Sequence, residues 1–264
     1  MTRIEKLFEK LKAEKRQAFI PYITAGDPSC DITRDLILGL EQSGADIIEL
    51  GVPFSDPIAD GPVIQRATER ALAQHMTLRK VLHLAKELRR QSEIPLVLFS
   101  YYNPILRYGL SNLARDAADS GIDGVLATDL TVEESGEYRA AMSAANLNTI
   151  FLAAPTSSQE RLKKIAQASN GFLYAVSRTG VTGETQELSS ELRGFLQELR
   201  RYTGIPIAVG FGISQPEHVK AVWQAADAAV VGSAIVREIE KNIGNADLVK
   251  RVSQFTTWLR GISA

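Results

Sequence analysis

Two acids, Glu49 and Asp60, stand in one stretch, DIIELGVPFSDPIADGPVI (residues 46–64), in different surroundings. Glu49 sits among Ile47, Ile48 and Leu50, and an acid inside an apolar run needs a partner, water or a use. Asp60 precedes Gly61 and Pro62, and proline suits the first turn of a helix, where its missing N–H costs nothing. A strand, a short loop and a helix would place Glu49 at the strand's carboxyl end and Asp60 beside the helix start. That arrangement can bring two carboxylates to opposite sides of one pocket. The plainer roles, an edge-strand charge for Glu49 and an N-terminal cap for Asp60, remain open at this level. The chemistry available is general acid–base catalysis. Apolar flanks raise the proton affinity of Glu49, so that it can act as an acid near neutral pH. Asp60, beside a helix start, is expected to stay ionised and to face positive charge.

Absences narrow the chemistry further. No lysine falls in any predicted strand, so a Schiff-base aldolase lacks its nucleophile. His75, His83 and His218 all lie in polar, helix-like surroundings, and no clustered His/Asp/Glu set suggests a divalent metal. Cys30 is the sole cysteine, which rules out an intrachain disulfide and leans toward a reducing cytoplasm. A formal net charge of −1 gives no basic surplus for nucleic acid, and Arg89–Arg90 and Lys163–Lys164 read as wetted helix faces. No apolar run approaches a membrane span. The opening MTRIEKLFEKLKAEKRQ reads as a short amphipathic helix, since a secretory signal needs an uncharged apolar core.

The elements that must position these residues alternate regularly. Apolar runs predict strands from Phe19, then over 47–51, 95–101, 124–128, 149–153, 172–176, 205–210 and 228–231. Helical patterns are predicted over 32–40, 62–72, 78–88, 110–120, 133–144, 159–168, 188–202 (the longest clear one), 216–224, 235–242 and 248–259. Near-continuous apolarity in strands such as PLVLFSY suits parallel strands covered on both faces. The expected fold class is α/β: a (β/α)8 TIM barrel with an additional N-terminal helix, one domain over residues 1–264, because closure removes both sheet edges. An open doubly wound sheet is the structural alternative, though the glycine fingerprint of a dinucleotide site is missing after the first strand.

In a barrel the pocket forms where strands give way to their helices. Those ends carry Tyr22 and Thr24, Glu49, Tyr101 with Asn103, Thr128 with Asp129, Ala153–Ala154–Pro155, Tyr174 with Ser177 and Arg178, Gly210–Phe211–Gly212, and Gly232–Ser233. Acids, hydroxyls and aromatic rings together suit a flat organic ligand, although Tyr101 can simply pack, Asn103–Pro104 can turn, and Asp129 can cap the next helix. SRTGVTG, VGFGIS and VGSAI would converge, and their exposed N–H groups with a helix starting after Gly232 favour phosphate. No lysine helps there, so backbone amides and Ser233 must do most of the binding, with Arg178 either an aid or a surface residue. The segment SRTGVTGETQEL, hinged at Gly180 and Gly183, reads as a lid that would exclude water.

ELGVPFSDPIADGPVIQ, followed downstream by YAVSRTGVTG, VGFGIS and VGSAIV, resembles the alpha chain of tryptophan synthase, and PYITAGDP and DLTVEES add further matches. The resemblance runs essentially from end to end. It implies a lyase that splits indole-3-glycerol phosphate into indole and glyceraldehyde 3-phosphate by a retro-aldol step. Glu49 then matches the main acid–base residue, Asp60 the acid that faces the indole N–H, and Tyr174 a supporting tyrosine. Gly183, Gly212, Gly232 and Ser233 match phosphate-binding positions, and Tyr22, Ile64, Phe99, Tyr101 and Thr128 line the indole side. Thr182 matches the lid threonine that meets Asp60 on closure, with Arg178 in the same lid. The resemblance also implies an alpha–beta–beta–alpha assembly that docks through residues 53–60 and 129–134. No cofactor is expected in this chain, pyridoxal phosphate belonging to the beta partner. Tyr22 stands where several relatives have phenylalanine, and Thr131 where proline is common.

Overall fold

Successive strand residues point to opposite faces, and in this chain both faces are apolar. In the computed structural model, described for residues 1–176, 189–210 and 212–262, this alternation separates a barrel interior from a shell beneath the helices. The inner set includes Ile20, Ile47, Val97, Leu126, Ile150, Phe172, Ala208 and Val230. The outer set includes Phe19, Ile48, Leu98, Val125, Leu173, Val209 and Val231, packed against the surrounding helices.

The strands are β1 (Ala18–Thr24), β2 (Ile48–Gly51), β3 (Leu96–Ser100), β4 (Gly124–Ala127), β5 (Asn148–Ile150), β6 (Leu152–Ala153), β7 (Leu173–Val176), β8 (Ile207–Gly210) and β9 (Ala228–Val231). All pair in parallel in the order β5-β4-β3-β2-β1-β9-β8-β7-β6. β1 joins both β2 and β9, and β5 runs into β6 through Phe151 alone, so the sheet returns on itself as a nearly closed TIM barrel. An open doubly wound sheet is excluded because the two ends of this strand order, β5 and β6, are a single residue apart in the chain. The fifth strand, expected as one piece over 149–153, is interrupted at Phe151, whose ring packs outward against Tyr138.

Helices surround the sheet: α1 (Arg3–Ala13), α2 (Cys30–Gln42), α3 (Pro62–Ala73), α4 (Leu78–Leu88), α5 (Tyr102–Tyr108), α6 (Leu110–Asp119), α7 (Gly136–Ala144), α8 (Gln159–Ala168), α9 (Ser190–Arg200), α10 (Pro216–Trp223), α11 (Ser233–Lys241) and α12 (Leu248–Leu259). The expected extra helix is α1, begun by a Thr2–Glu5 capping box and set across the amino end of the barrel. Its Ile4, Phe8 and Leu11 are buried with the inner set, Phe8 lying 6.1 Å from Phe172.

Several expectations need correction. The described part of the helix predicted over 188–202 has 11 residues, fewer than the 13 of α2. The helix predicted from Glu133 begins only at Gly136, after a 3-10 turn at Val132–Glu134. Asn103–Pro104 is not a turn but the first turn of α5, where proline is tolerated. Arg89 is not a wetted face: its guanidinium donates to Gly121 O, Ser92 O, Ile94 O and Asp123, and burial lowers its pKa.

The amino end of the barrel repeats one device. Asp46 accepts the Phe19 N–H (2.8 Å) while its own N–H donates to Phe19 O (2.9 Å). Asp123 does the same with Leu96, Asn170 with Thr149, and Asp227 with Ile207. Each side chain thereby satisfies the first orphan N–H of the preceding barrel strand. The three aspartates are tied to arginines: Asp46 to Arg16, Asp123 to Arg3 and Arg89, and Asp227 to Arg200.

Candidate active site

The same alternation that points Ile47 inward points Glu49 and Gly51 inward. Glu49 is 1% exposed, its Oε1 has no hydrogen-bond partner, and burial pushes its pKa up to about 8. A carboxyl in that setting is neutral at pH 7 and holds a proton it can give away. Its neighbours are Tyr22, opposite it in the β1–β2 register, and Tyr174, which comes from β7 across the barrel. Burial, and then the nearby acids, holds both phenols in their neutral form: Asp60 and Glu49 act on Tyr22, and Glu49 acts on Tyr174.

Two glycines make room for those phenols. A Cβ on Gly51 would collide with the hydroxyl end of the Tyr22 ring, and one on Gly210 with that of Tyr174. The Tyr22 hydroxyl reaches Thr24 Oγ1 at 3.4 Å, and its ring meets Phe99 edge-on with centroids 5.1 Å apart.

Asp60 lies on the loop before α3 and is half-buried. It does not cap that helix. Gly61 is the N-cap and makes no side-chain cap bond, while the Asp60 carboxylate turns to accept from Tyr101 Oη at 3.2 Å. Tyr101 is held in turn by the Ala59 N–H (2.9 Å) and by Phe54, whose ring centroid is 5.3 Å away. Burial pushes the Asp60 pKa up to about 6, opposed by the Tyr101 hydrogen bond. The expectation of an ionised Asp60 at pH 7 therefore holds, with a proton affinity higher than a helix-start position suggested. Asp129, a candidate cap for its own following helix, instead accepts the Tyr102 N–H at 2.6 Å and so caps α5 from a neighbouring loop.

A cavity of about 610 Å³ opens at this end of the barrel. Among its walls are Asp60, Ile64, Phe99, Thr128 and Tyr174, together with Gly212, Gly232 and Ser233. Glu49, Tyr22 and Tyr101 are not among the lining residues, although Tyr22 packs on Phe99 and Tyr101 bonds Asp60, which are. Gly212 adopts φ +67°, where a side chain would be strained, and Ser233 opens α11 at the cavity wall. One residue that reading for lysine at strand ends missed is Arg237, on the second turn of α11, which also lines the cavity. Its four-residue spacing from Ser233 was the available signal. Arg178, Thr182 and Gly183 lie outside the described residues. No group of three or more metal-ligating side chains occurs among the described residues, nor is any helix there long and apolar enough to cross a membrane.

A parallel barrel whose carboxyl mouth gathers acids of raised proton affinity around a cavity of ligand size belongs to the (β/α)8-barrel enzymes. A family model described as tryptophan synthase alpha chain matches residues 8–260. An alpha chain from Solibacter usitatus is 55% identical over 265 residues, spanning 100% of this chain and 99% of the relative. One from Geotalea daltonii is 45% identical over 100% of both chains. Among solved structures, tryptophan synthase subunit alpha from Legionella pneumophila superposes with a TM-score of 0.91 at 38% identity, covering 99% of this chain and 98% of that one. A chain from the Pyrococcus furiosus tryptophan synthase α2β2 complex gives 0.87 at 41% identity, over 93% and 98%. The chain belongs to the tryptophan synthase alpha chain family.

Proposed function

We propose that this chain is the lyase subunit that cleaves indole-3-glycerol phosphate to indole and glyceraldehyde 3-phosphate in tryptophan biosynthesis, with Glu49 as acid then base and Asp60 as the anion facing the ring nitrogen. An aromatic indole offers no sink for the electrons of the breaking carbon–carbon bond. Protonation of the ring carbon that bears the side chain creates one, by placing positive charge on the nitrogen. Neutral Glu49 gives that proton, and ionised Asp60 stabilises the cation across the ring. Glu49, now a carboxylate, accepts the proton of the adjacent side-chain hydroxyl. The C–C bond then breaks, its electrons return to the ring, and the hydroxyl carbon leaves as the aldehyde.

The observation that carries this reading is the contrast between the two acids, Glu49 buried with Oε1 unpartnered and Asp60 at the cavity wall accepting from Tyr101. Burial raises the pKa of both, to about 8 and about 6, which favours a protonated Glu49 and an ionised Asp60 near pH 7. Tyr174 supports the reacting centre. Ile64, Phe99 and Thr128 line the indole side, backed by Tyr22 and Tyr101, while Gly212, Gly232, Ser233 and Gly183 take the phosphate, with Arg178 and Thr182 in a closing lid. Remote phosphate binding orients the bond to be broken. The chain acts as one domain in the cytoplasm and works in an α2β2 assembly with the tryptophan synthase beta chain. Pyridoxal phosphate is held by that partner. Indole release measured with purified Glu49→Gln and Asp60→Asn variants, each checked for a native circular dichroism spectrum, is expected to fall by about a hundred- to ten-thousandfold for the lost acid–base residue and by about a hundred- to a thousandfold for the lost anion. Normal turnover in folded Glu49→Gln would refute its role.

A further inference from the structure

Resting on the substrate assignment above, we propose that Arg237 is a binding residue for the substrate's phosphate, supplying a positive charge that Gly212, Gly232 and Ser233 do not carry. Of the described residues lining the cavity, only Asp60 and Arg237 are charged at neutral pH. A phosphate monoester brings between one and a half and two negative charges near pH 7. Without Arg237 it would enter a cavity whose one other charged wall residue, among those described, is an anion. The arginine restores the balance at the wall where Ser233 stands.

Its placement fits that task. Arg237 lies four residues beyond Ser233, on the same face of α11. Long helical side chains lean back toward the helix N-terminus, which for Arg237 is the turn containing Gly232, Ser233 and Ala234. It is exposed and makes no ion pair with any other described residue, whereas Glu240 and Lys241 further along the helix are committed to Arg66, Arg70 and Glu238. A guanidinium left unpaired at the rim of a cavity both steers an anion inward and donates to its oxygens.

The test compares Arg237→Gln, Arg237→Lys, Ser233→Ala and the surface control Lys241→Gln in the full chain, by steady-state indole release and by inhibition with inorganic phosphate and with indole. For Arg237→Gln the expected result is a KM raised about fivefold at low salt, the upper range for an exposed ionic contact, with kcat within about twofold. Weakening of phosphate inhibition by the same factor, unchanged indole inhibition and a flattened salt dependence of kcat/KM complete the pattern. Arg237→Lys recovers most of the loss, and Lys241→Gln behaves as wild type. Unchanged KM and phosphate inhibition in Arg237→Gln, alongside weakened phosphate binding in Ser233→Ala, would dismiss the arginine and leave the phosphate site standing. Equal losses of indole and phosphate binding would also overturn it, as the mark of a distorted cavity. Failure of phosphate to compete even in the wild type would overturn the phosphate site and Arg237 together.

Discussion

Replacing Glu49 by glutamine is expected to abolish turnover and yet to strengthen the fold, by an amount that depends on pH. In the native barrel the carboxyl is buried without a partner at Oε1 and titrates at about 8, against an ordinary glutamate value of 4.5. Between those values the native state holds a proton that the unfolded chain has lost. Stability therefore falls as pH rises through that window. Each pH unit corresponds to about 1.4 kcal/mol. At pH 7 the wild type thus forgoes about 3 kcal/mol relative to a residue that never ionises, and above pH 8 about 5 kcal/mol. Glutamine removes the titration, while any penalty from its own amide is the same at every pH. Urea unfolding of both proteins from pH 4.5 to 8.5 should show the stability difference growing in favour of Glu49→Gln through the window and levelling off above pH 8. A difference that stays constant across this range would refute both the neutral buried carboxyl and the acid role built on it.

Other expectations follow from the same geometry. The pH profile of kcat/KM should be bell-shaped, with an acid limb near 6 from Asp60 and an alkaline limb near 8 from Glu49. Tyr101→Phe removes the hydrogen bond that lowers the Asp60 pKa, so the acid limb alone should move up by about one pH unit, the equivalent of a bond worth about 1.4 kcal/mol. A shift of both limbs in the pH–rate profile would contradict that. Gly210→Ala places a methyl 2.7 Å from Tyr174 Cζ, and overpacking should destabilise by about 1–3 kcal/mol in urea unfolding and depress turnover. Adding Tyr174→Leu should recover most of the lost stability, and simple additivity of the two changes would argue against direct contact. Arg70→Met strips the bidentate partner from Asp27, itself 2% exposed, and frees one arm of Glu240. A loss of about 3 kcal/mol is expected, measured by thermal or urea unfolding, because a buried carboxylate is left unpaired.

The strand order and the inward direction of Glu49 were legible because parallel strands covered on both faces leave a near-continuous apolar pattern in which one acid stands out. What the sequence hid depends on contacts distant along the chain. Helix α5 looks like a turn at Asn103–Pro104 because its cap, Asp129, comes from the next strand's loop. Asp60 reads as a helix cap by its position before Gly61–Pro62, and only folding shows that Tyr101 takes its carboxylate instead. Arg89 looks like an exposed charge because its acceptors, the carbonyls of Gly121 and Ile94 among them, belong to neighbouring connections. Gly210 reads with VGFGIS as room for phosphate, whereas in the fold it, like Gly51 beneath Tyr22, is room for a tyrosine hydroxyl.

The reciprocal bonds made by Asp46, Asp123, Asn170 and Asp227 group the strands into four consecutive couples, each fastened at its root. Every couple thus owns a complete foundation that asks nothing of the residues at the opposite rim. Stability can be engineered or lost at that foundation independently of the chemistry above it, and the rim is free to differ in all four quarters. A chain assembled by copying one such couple would inherit its footing with each copy and would need to invent only the mouth.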